Sequence, residues 1–256
     1  MSARVNFCRK CQGPRVKKNG QDRHRRQKYR CHDCGTVFTR RTGKVTSGSR
    51  LSDRQWRQAT ELFCLRAGIS AADLARLLKV NEKTTQKLLR ALRQLCVELI
   101  PHELEGCLEW DETTARKHTW VLGGVSRHLQ QCLLRLVPNR EAGTLIPMIL
   151  GVSTVGSWYF TDEWGAYNEL PNHLTVCHAE EFVSRHSATV HTNTQEGIWG
   201  HMKPLGTHIY RGFPAATLEL FLAETMFRYN YRDYEHRVKI LLALLARKNK
   251  QQLITG

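Results

Sequence analysis

Two cysteine pairs near the N-terminus place the tightest constraint on how this chain can fold. Cys8 and Cys11 form one CxxC pair, and Cys31 and Cys34 form a second, with 19 residues between them. Two intervening residues let both thiolates of a pair reach one ion from a tight turn, so the two pairs can complete a tetrahedral site of four sulfurs. The spacing predicts a zinc ribbon over residues 1–45, held by one structural Zn²⁺ because so short a domain has little core of its own.

Other interpretations of this cysteine pattern stay open. His24 or His32 could replace a cysteine as a ligand, and four free thiols could also lie together by chance. The chain has nine cysteines, an odd number, and it begins without an apolar signal region. Both observations argue against a disulfide framework.

Positive charge is concentrated in the same region. The net charge is +16, and residues 1–50 carry fifteen Lys and Arg against two Asp. Such a basic block attracts a polyanion, most often nucleic acid, although a solvated and solubilising tail is the alternative. No run of eighteen apolar residues is present, so we expect no membrane partner. We expect an intracellular protein, nucleoid-associated in the cytoplasm if bacterial and nuclear if eukaryotic.

Three helical patterns follow a Gly- and Ser-containing segment, residues 41–50, that predicts a linker. Ser52, Ser70 and Asn81 are placed to cap the starts of the three helices. The last two helices predict a helix-turn-helix within residues 51–100, and its final helix would enter the major groove of DNA. A simple pair of packed helices is the alternative. The candidate DNA contacts on the final helix are Lys83, Thr84, Thr85, Gln86, Lys87 and Arg90.

The rest of the chain, residues 104–256, predicts an α/β domain. Three strands are followed by a helix over residues 140–152, and strands and helices then alternate, which is the order of a ribonuclease-H-like fold. The predicted strands span residues 107–111, 119–126, 131–137, 157–161 and 174–178.

Acidic residues lie at three boundaries of these predicted elements. Asp111 closes the first strand, Asp162 follows the fourth, and Glu196 begins a helix. Carboxylates gathered from distant segments suit divalent metal ions, and a pair of ions suits phosphodiester chemistry. Glu112 would point to the opposite face of the strand from Asp111. Glu180 or Glu181 is an alternative to Glu196 as the third acid.

The same segments resemble DDE transposases of bacterial insertion sequences, in the branch related to eukaryotic Merlin elements. The similarity is carried by EWDETTARKHTWVLGGVSR, YFTDEWGAYNEL, VCHAEEFV, HTNTQEGIWGHMKP and FRYNYRD. It implies that Asp111, Asp162 and Glu196 hold two Mg²⁺ or Mn²⁺ ions. The intervals of 50 and 33 residues between these acids suit the family. Lys203, two helical turns beyond Glu196, matches a basic residue that contacts the DNA end.

The resemblance also implies partners and supporting residues. The partner would be double-stranded DNA, both element ends and target, bound by a homodimer or larger assembly that transfers a 3′-OH. The rivals are a DNA-binding regulator that has lost activity, and a nuclease or resolvase without strand transfer. Trp199 is expected to pack in the core, and Trp164 could stack on a base. The candidate supporting residues are His178, His191 and Asn193, and those of the family tail that could face DNA are Arg228, Asn230 and Arg232.

Overall fold

The computed structural model describes residues 5–176, 192–210, 212 and 214–247. It divides into two compact units, one made of residues 1–58 with 239–256 and the other of residues 59–238. The predicted domain boundaries stay a prediction. No helix within the described ranges is long and apolar enough to cross a bilayer.

The N-terminal unit contains a three-stranded antiparallel sheet. Its strands are β1 (Val16–Gln21), β2 (Gln27–Cys31) and β3 (Val37–Thr39), in that order. The buried side chains of Tyr29 and Phe38 stack with ring centroids 5.8 Å apart, next to buried Cys8 and Cys31. This apolar cluster is small, so a metal staple would supply much of the stability of the module.

Residues 41–50, the predicted linker, connect β3 to the first of the helices that follow. They fold into turns, and Arg41 is buried. Its guanidinium donates to the Leu51 carbonyl at 2.5 Å and to the Asp53 carboxylate at 2.9 Å. The glycines and serines of this segment predicted turns, but composition alone could not show that Arg41 ties the turns to the start of the next helix.

Three helices follow, α1 (Asp53–Phe63), α2 (Ala71–Leu78) and α3 (Glu82–Val97). All three predicted caps are present. The Ser52 hydroxyl accepts from the Gln55 amide at 3.1 Å, and the Ser70 hydroxyl accepts from the Asp73 amide at 3.0 Å. The Asn81 side chain accepts from the Lys83 amide at 2.8 Å. These bonds satisfy backbone donors that have no partner within the helix and so set where each helix begins.

The second unit is built on a mixed five-stranded sheet in the order β6-β5-β4-β7-β8. Strands β4, β5 and β6 pair antiparallel, whereas β7 pairs parallel to β4 and β8 parallel to β7. Helix α4 connects β6 to β7. The bounds are β4 (Cys107–Arg116), β5 (Thr119–Ser126), β6 (Gln131–Val137), α4 (Ala142–Leu150), β7 (Trp158–Thr161) and β8 (His173–Thr175).

Strand β4 runs five residues further than predicted, so Asp111 lies in the middle of the strand and does not close it. The polar run after Asp111 suggested a strand end, but Glu112 and Thr113 are both buried. Glu112 accepts hydrogen bonds from Arg140 and Tyr167, and these bonds offset the free-energy cost of burying its charge in the strand. These partners are distant in sequence and could not be foreseen locally.

Three further helices follow in the chain, of which α5 and α6 pack on the sheet. They are α5 (Asn193–Pro204), which continues into a π-helical turn (Leu205–Ile209), then α6 (Leu218–Asn230) and α7 (Tyr234–Ala246). Helix α6 packs on β6, where the Asn230 amide exchanges hydrogen bonds with the Cys132 backbone at 2.7 and 3.1 Å. It also meets α3 through a buried ion pair between Arg93 and Glu224 at 2.7 Å.

Candidate functional site

The four cysteines of the N-terminal pairs form one cluster. Their sulfur atoms all lie within 4.8 Å of one another, and no other group of potential ligands in the described part of the chain is gathered this closely. The backbone amides of Lys10 and Asp33 donate to the sulfurs of Cys8 and Cys31, each at 3.3 Å. This set of donors could hold one zinc ion, without a ligand from His24 or His32. The cluster itself is therefore confirmed. Its sulfur atoms belong to Cys8, Cys11, Cys31 and Cys34.

Asp111 is a largely buried acid on the central strand β4. One carboxylate oxygen accepts from the Trp199 indole at 2.7 Å, and the other accepts from the Glu112 amide at 2.7 Å. Burial raises the pKa of Asp111 from 3.8 to about 6. The Trp199 hydrogen bond lowers this pKa, while the negative charges of Glu112 and Asp162 raise it. Asp111 thus sits in a region crowded with negative charge.

Asp162 directly follows β7, the parallel neighbour of β4, and is half-buried. Its carboxylate accepts from the Trp164 amide at 3.0 Å, which closes a tight turn after the strand. The charge of Asp162 acts on both Asp111 and Tyr167. The structure therefore brings the first two predicted acids to one region of the sheet.

Glu196 lies in the first turn of α5 and is exposed. Seven residues on, exposed Lys203 lies on the same side of the helix. Within the described residues, the oxygens of Asp111, Asp162 and Glu196 do not converge on a single point as the cysteine sulfurs do.

Hydrogen bonds join the first two turns of helix α5 to β4, the strand that carries Asp111. The Thr194 hydroxyl and the Gln195 amide donate to the two carboxylate oxygens of buried Glu109, at 2.8 and 3.0 Å. Trp199, one turn further, donates to Asp111. Trp199 is buried as expected, but it also orients an acid.

A glycine on the neighbouring strand β5 lets α5 approach the sheet. Gly123 pairs with Asp111, and a Cβ atom at Gly123 would lie 2.2 Å from the Gln195 side chain and 2.5 Å from the Trp199 ring. Such distances are far below van der Waals contact, so only glycine fits this position with α5 in place.

On the opposite side of β4, Glu112 anchors a second network. Its carboxylate is ion-paired with Arg140 and accepts from the Tyr167 hydroxyl. The Arg140 guanidinium lies between the rings of Trp120 and Trp164, 4.7 and 4.4 Å from their centroids. This confirms that Glu112 points away from Asp111. It also shows that Trp164, still 45% exposed, is held by Arg140.

The candidate DNA contacts on α3 divide into two groups. Thr85 is fully buried, and its hydroxyl donates to the Ala71 carbonyl at 2.7 Å, so the prediction that it contacts DNA is wrong. It joins α3 to α2 instead. Thr84 is half-buried, and the exposed candidates are Lys83, Gln86, Lys87 and Arg90.

The family tail is also mainly structural. Arg228 is half-buried and paired with Glu224, and Asn230 bonds to the β6 backbone, whereas Arg232 is exposed. Asn193 is the exposed first residue of α5. The candidates that lie outside the described residues are His178, His191, Glu180 and Glu181.

Sequence reasoning missed Glu109, Arg140 and Gly123 as residues of the site. The sequence held one weak signal, the Gly123-Gly124 pair inside a predicted strand, which suggests close approach of another group. Glu109 and Arg140 carried no comparable signal, because charged residues are usually exposed in a folded chain.

The fold and the site together define a mixed α/β domain with acidic residues on its central strands, accompanied by a cysteine module. Residues 105–230 match the family model of the ISXO2-like transposase domain. An uncharacterized transposase-like protein of Haemophilus influenzae is 28% identical over 116 residues, which cover 43% of this chain and 89% of that protein. Both similarities support an insertion-sequence transposase in general terms.

Proposed function

We propose that this chain is a DNA transposase that binds the ends of a mobile element, cleaves DNA strands and joins a 3′-OH end to target DNA. One observation carries the proposal. Helix α5, which bears Glu196, is bonded along β4, which bears Asp111, inside the segment that matches a transposase domain. An acid contributed by a helix docked on an acid-bearing strand suits a site for phosphodiester chemistry.

The proposed architecture has three parts. Three antiparallel strands, followed by two strands added in parallel on the other side of β4, support a ribonuclease-H-like fold. Capped helices α2 and α3, with exposed Lys83, Lys87 and Arg90, support a helix-turn-helix that binds duplex DNA. The cysteine module would be a zinc ribbon. Placement in the branch related to Merlin elements rests on the sequence resemblance.

The residues present fit divalent cations. Carboxylate oxygens are the ligands that Mg²⁺ and Mn²⁺ prefer. Burial and, after it, the charges of Glu112 and Asp162 raise the pKa of Asp111, and a bound cation would offset these charges. Asp111, Asp162 and Glu196 would hold the ions. Two ions bound there would activate the attacking oxygen and stabilise the leaving oxygen of a phosphodiester.

The chain itself would position the reacting groups. The Trp199 indole and the Glu112 amide fix the orientation of the Asp111 carboxylate, and Lys203 lies where it can contact a DNA phosphate beside Glu196. Water would attack phosphorus and break the bond to the 3′ oxygen, leaving a 3′-OH and a 5′-phosphate. That 3′-OH would then attack a target phosphodiester, so one bond forms as one breaks. A homodimer or larger assembly on DNA would hold both ends.

A strand-cleavage assay on element-end DNA with Mg²⁺ or Mn²⁺ tests the proposal. Asp111→Asn, Asp162→Asn and Glu196→Gln should each abolish nicking and joining while DNA binding persists. Glu163→Gln, at an exposed neighbour of Asp162, should cleave like the wild type. Full cleavage by any variant of the three acids contradicts its assignment, and Glu180→Gln and Glu181→Gln then test the alternative third acid. Nicking without joined products indicates a nuclease.

A further inference from the structure

A cavity of about 780 Å³ lies against α5, α6 and the start of α7. Among the described residues that line it, none is acidic, and five carry or can carry positive charge. A cavity of this composition selects an anion, because the arginines present hydrogen-bond donors together with charge. These basic residues are Arg66, His201, Arg228, Arg232 and Arg237.

Only part of this positive charge is balanced within the protein. Arg228 pairs with Glu224, but the same carboxylate also binds Arg93. Arg237 donates to backbone carbonyls, including that of Cys64 at 2.9 and 3.1 Å. Burial lowers the pKa of Arg237, and the nearby charge of Arg228 lowers it as well. The inner wall of the cavity therefore keeps an excess of positive charge.

Two arginines at the edge of the cavity are available to a ligand. Arg66 and Arg232 are exposed, and neither has an ion pair with a described residue. The Arg232 guanidinium lies 4.8 Å from the centroid of the Tyr229 ring. The Tyr229 hydroxyl is buried without a hydrogen-bond partner in the described part of the chain.

The start of α5 also lines the cavity. Asn193 and Thr194 line the cavity, and the side chain of Thr192 does not cap the helix. The first turn of this twelve-residue helix lies beside the arginines, and its Gln195 amide is already bonded to the Glu109 carboxylate. Gly197 also lines the cavity, directly after Glu196, and the space where its Cβ would lie is open. The helix surface next to the acid is thus bare enough for close approach of a strand.

We propose that this cavity binds the phosphate backbone of a single-stranded stretch of DNA and leads it along α5 to Glu196. The inference rests on the proposed function, since it takes DNA as the substrate. Size favours a single strand. A cube of the same volume would have sides of about 9 Å. A B-DNA duplex is wider than this, since its major groove alone is ~12 Å wide.

Fluorescence anisotropy with the full, zinc-loaded chain and no added Mg²⁺ or Mn²⁺ tests this site without requiring catalysis. The probes are a labelled oligothymidylate and a duplex of the same length. The variant Arg66→Gln with Arg232→Gln removes both edge charges, and Arg116→Gln with Arg135→Gln removes two exposed charges on the sheet as a matched control. We expect the first variant to bind the single strand about tenfold more weakly, with a salt slope smaller by roughly 1.4, as for two lost phosphate contacts.

The control variant should change single-strand affinity by less than about threefold, since it loses only diffuse charge. Equal losses in both variants, or an equal loss with the duplex, would overturn the proposal. The edge variant is the one that lacks both Arg66 and Arg232. If it binds the single strand as tightly as the wild type, and the wild type nicks element ends, only the cavity assignment is overturned. If the edge variant binds the single strand more weakly but the wild-type protein never nicks element-end DNA, the transposase proposal is overturned and the cavity assignment stands.

Discussion

At the residue scale, Asp111 is an acid whose ionisation opposes folding. Its pKa rises from 3.8 to about 6 in the folded chain because the carboxyl is buried. Well below pH 3.8 the group is protonated in both states and costs nothing. Between the two pKa values the unfolded chain loses its proton first, so stability falls as pH rises. Above pH 6 the full difference, about 3 kcal/mol, is reached.

Asp111→Asn should therefore stabilise the metal-free protein at neutral pH. Asparagine keeps an oxygen for Trp199 but cannot ionise. Urea unfolding in chelator should show a gain that is absent at low pH, grows between pH 4 and 6 and then levels at about 3 kcal/mol. Glu163→Gln, which removes an exposed charge, should show no such gain. A pH-independent difference for Asp111→Asn would contradict the burial argument.

Gly123→Ala tests the close approach of α5 to the sheet. The added methyl would meet Gln195 and Trp199 well inside contact distance, so α5 must shift. We expect a loss of about 1–3 kcal/mol in the free energy of unfolding and weaker strand cleavage. Gly143→Ala in α4, where the added methyl meets nothing within 4 Å, is the matched control and should be neutral or slightly stabilising. A neutral Gly123→Ala would show that α5 is not pressed against β5.

Residues of the site were predictable from sequence where chemistry is local, and not where it depends on a distant partner. The paired cysteines predicted their cluster, because two intervening residues already let both sulfurs of a pair face one ion. Thr85 was assigned to DNA because it lies near the start of a helix, but the Ala71 carbonyl that buries it belongs to another helix. Glu109 looked like a surface acid, although its partners Arg127 and Thr194 lie 18 and 85 residues away.

At the scale of elements, local signals predicted helix starts well. Ser70 and Asn81 cap α2 and α3 as expected, because a cap needs only a side-chain oxygen and an amide two or three residues on. The end of β4 was predicted wrongly, because Arg140 and Tyr167 bury a polar stretch that sequence alone reads as a loop. A strand end depends on its neighbours, whereas a helix start is largely set by its own residues.

Removing the cap of α3 should weaken the fold by a predictable amount. Asn81→Ala leaves the Lys83 amide without its acceptor and should cost about 1 kcal/mol, which thermal unfolding would show as a Tm lower by roughly 2–4 °C. Asn81→Asp keeps the acceptor and should stay near wild type. A drop of similar size in Asn81→Asp would indicate that the amide group of Asn81 has another role.

At the scale of the whole molecule, the N-terminal module should depend on zinc. Its buried apolar cluster is small, so the four sulfurs and an ion would supply much of its stability. We expect about one zinc per chain by elemental analysis. Stripping it with a strong chelator should unfold residues 1–45, raise their protease sensitivity and weaken DNA binding, because the basic side chains would lose their fixed arrangement.

Two cysteine variants separate the loss of zinc from any general effect of removing a thiol. Cys34→Ser removes one sulfur of the cluster and should lose the metal, whereas Cys107→Ser changes an exposed cysteine outside it and should keep the metal. Zinc retained at full stoichiometry by Cys34→Ser would contradict the four-sulfur site. Zinc lost from both variants would indicate that the thiols bind the metal elsewhere.

Because Glu109 bonds to the start of α5, the position of Glu196 relative to Asp111 does not depend on the number of residues between Asp162 and Glu196. Glu109, two positions before Asp111, accepts from the hydroxyl of Thr194, two positions before Glu196, and so fixes where α5 meets β4. Relatives with a longer or shorter connection can therefore build the same arrangement, provided that they keep this pair of anchors. Counting residues between acids will miss such relatives, and a search for the anchors will find them.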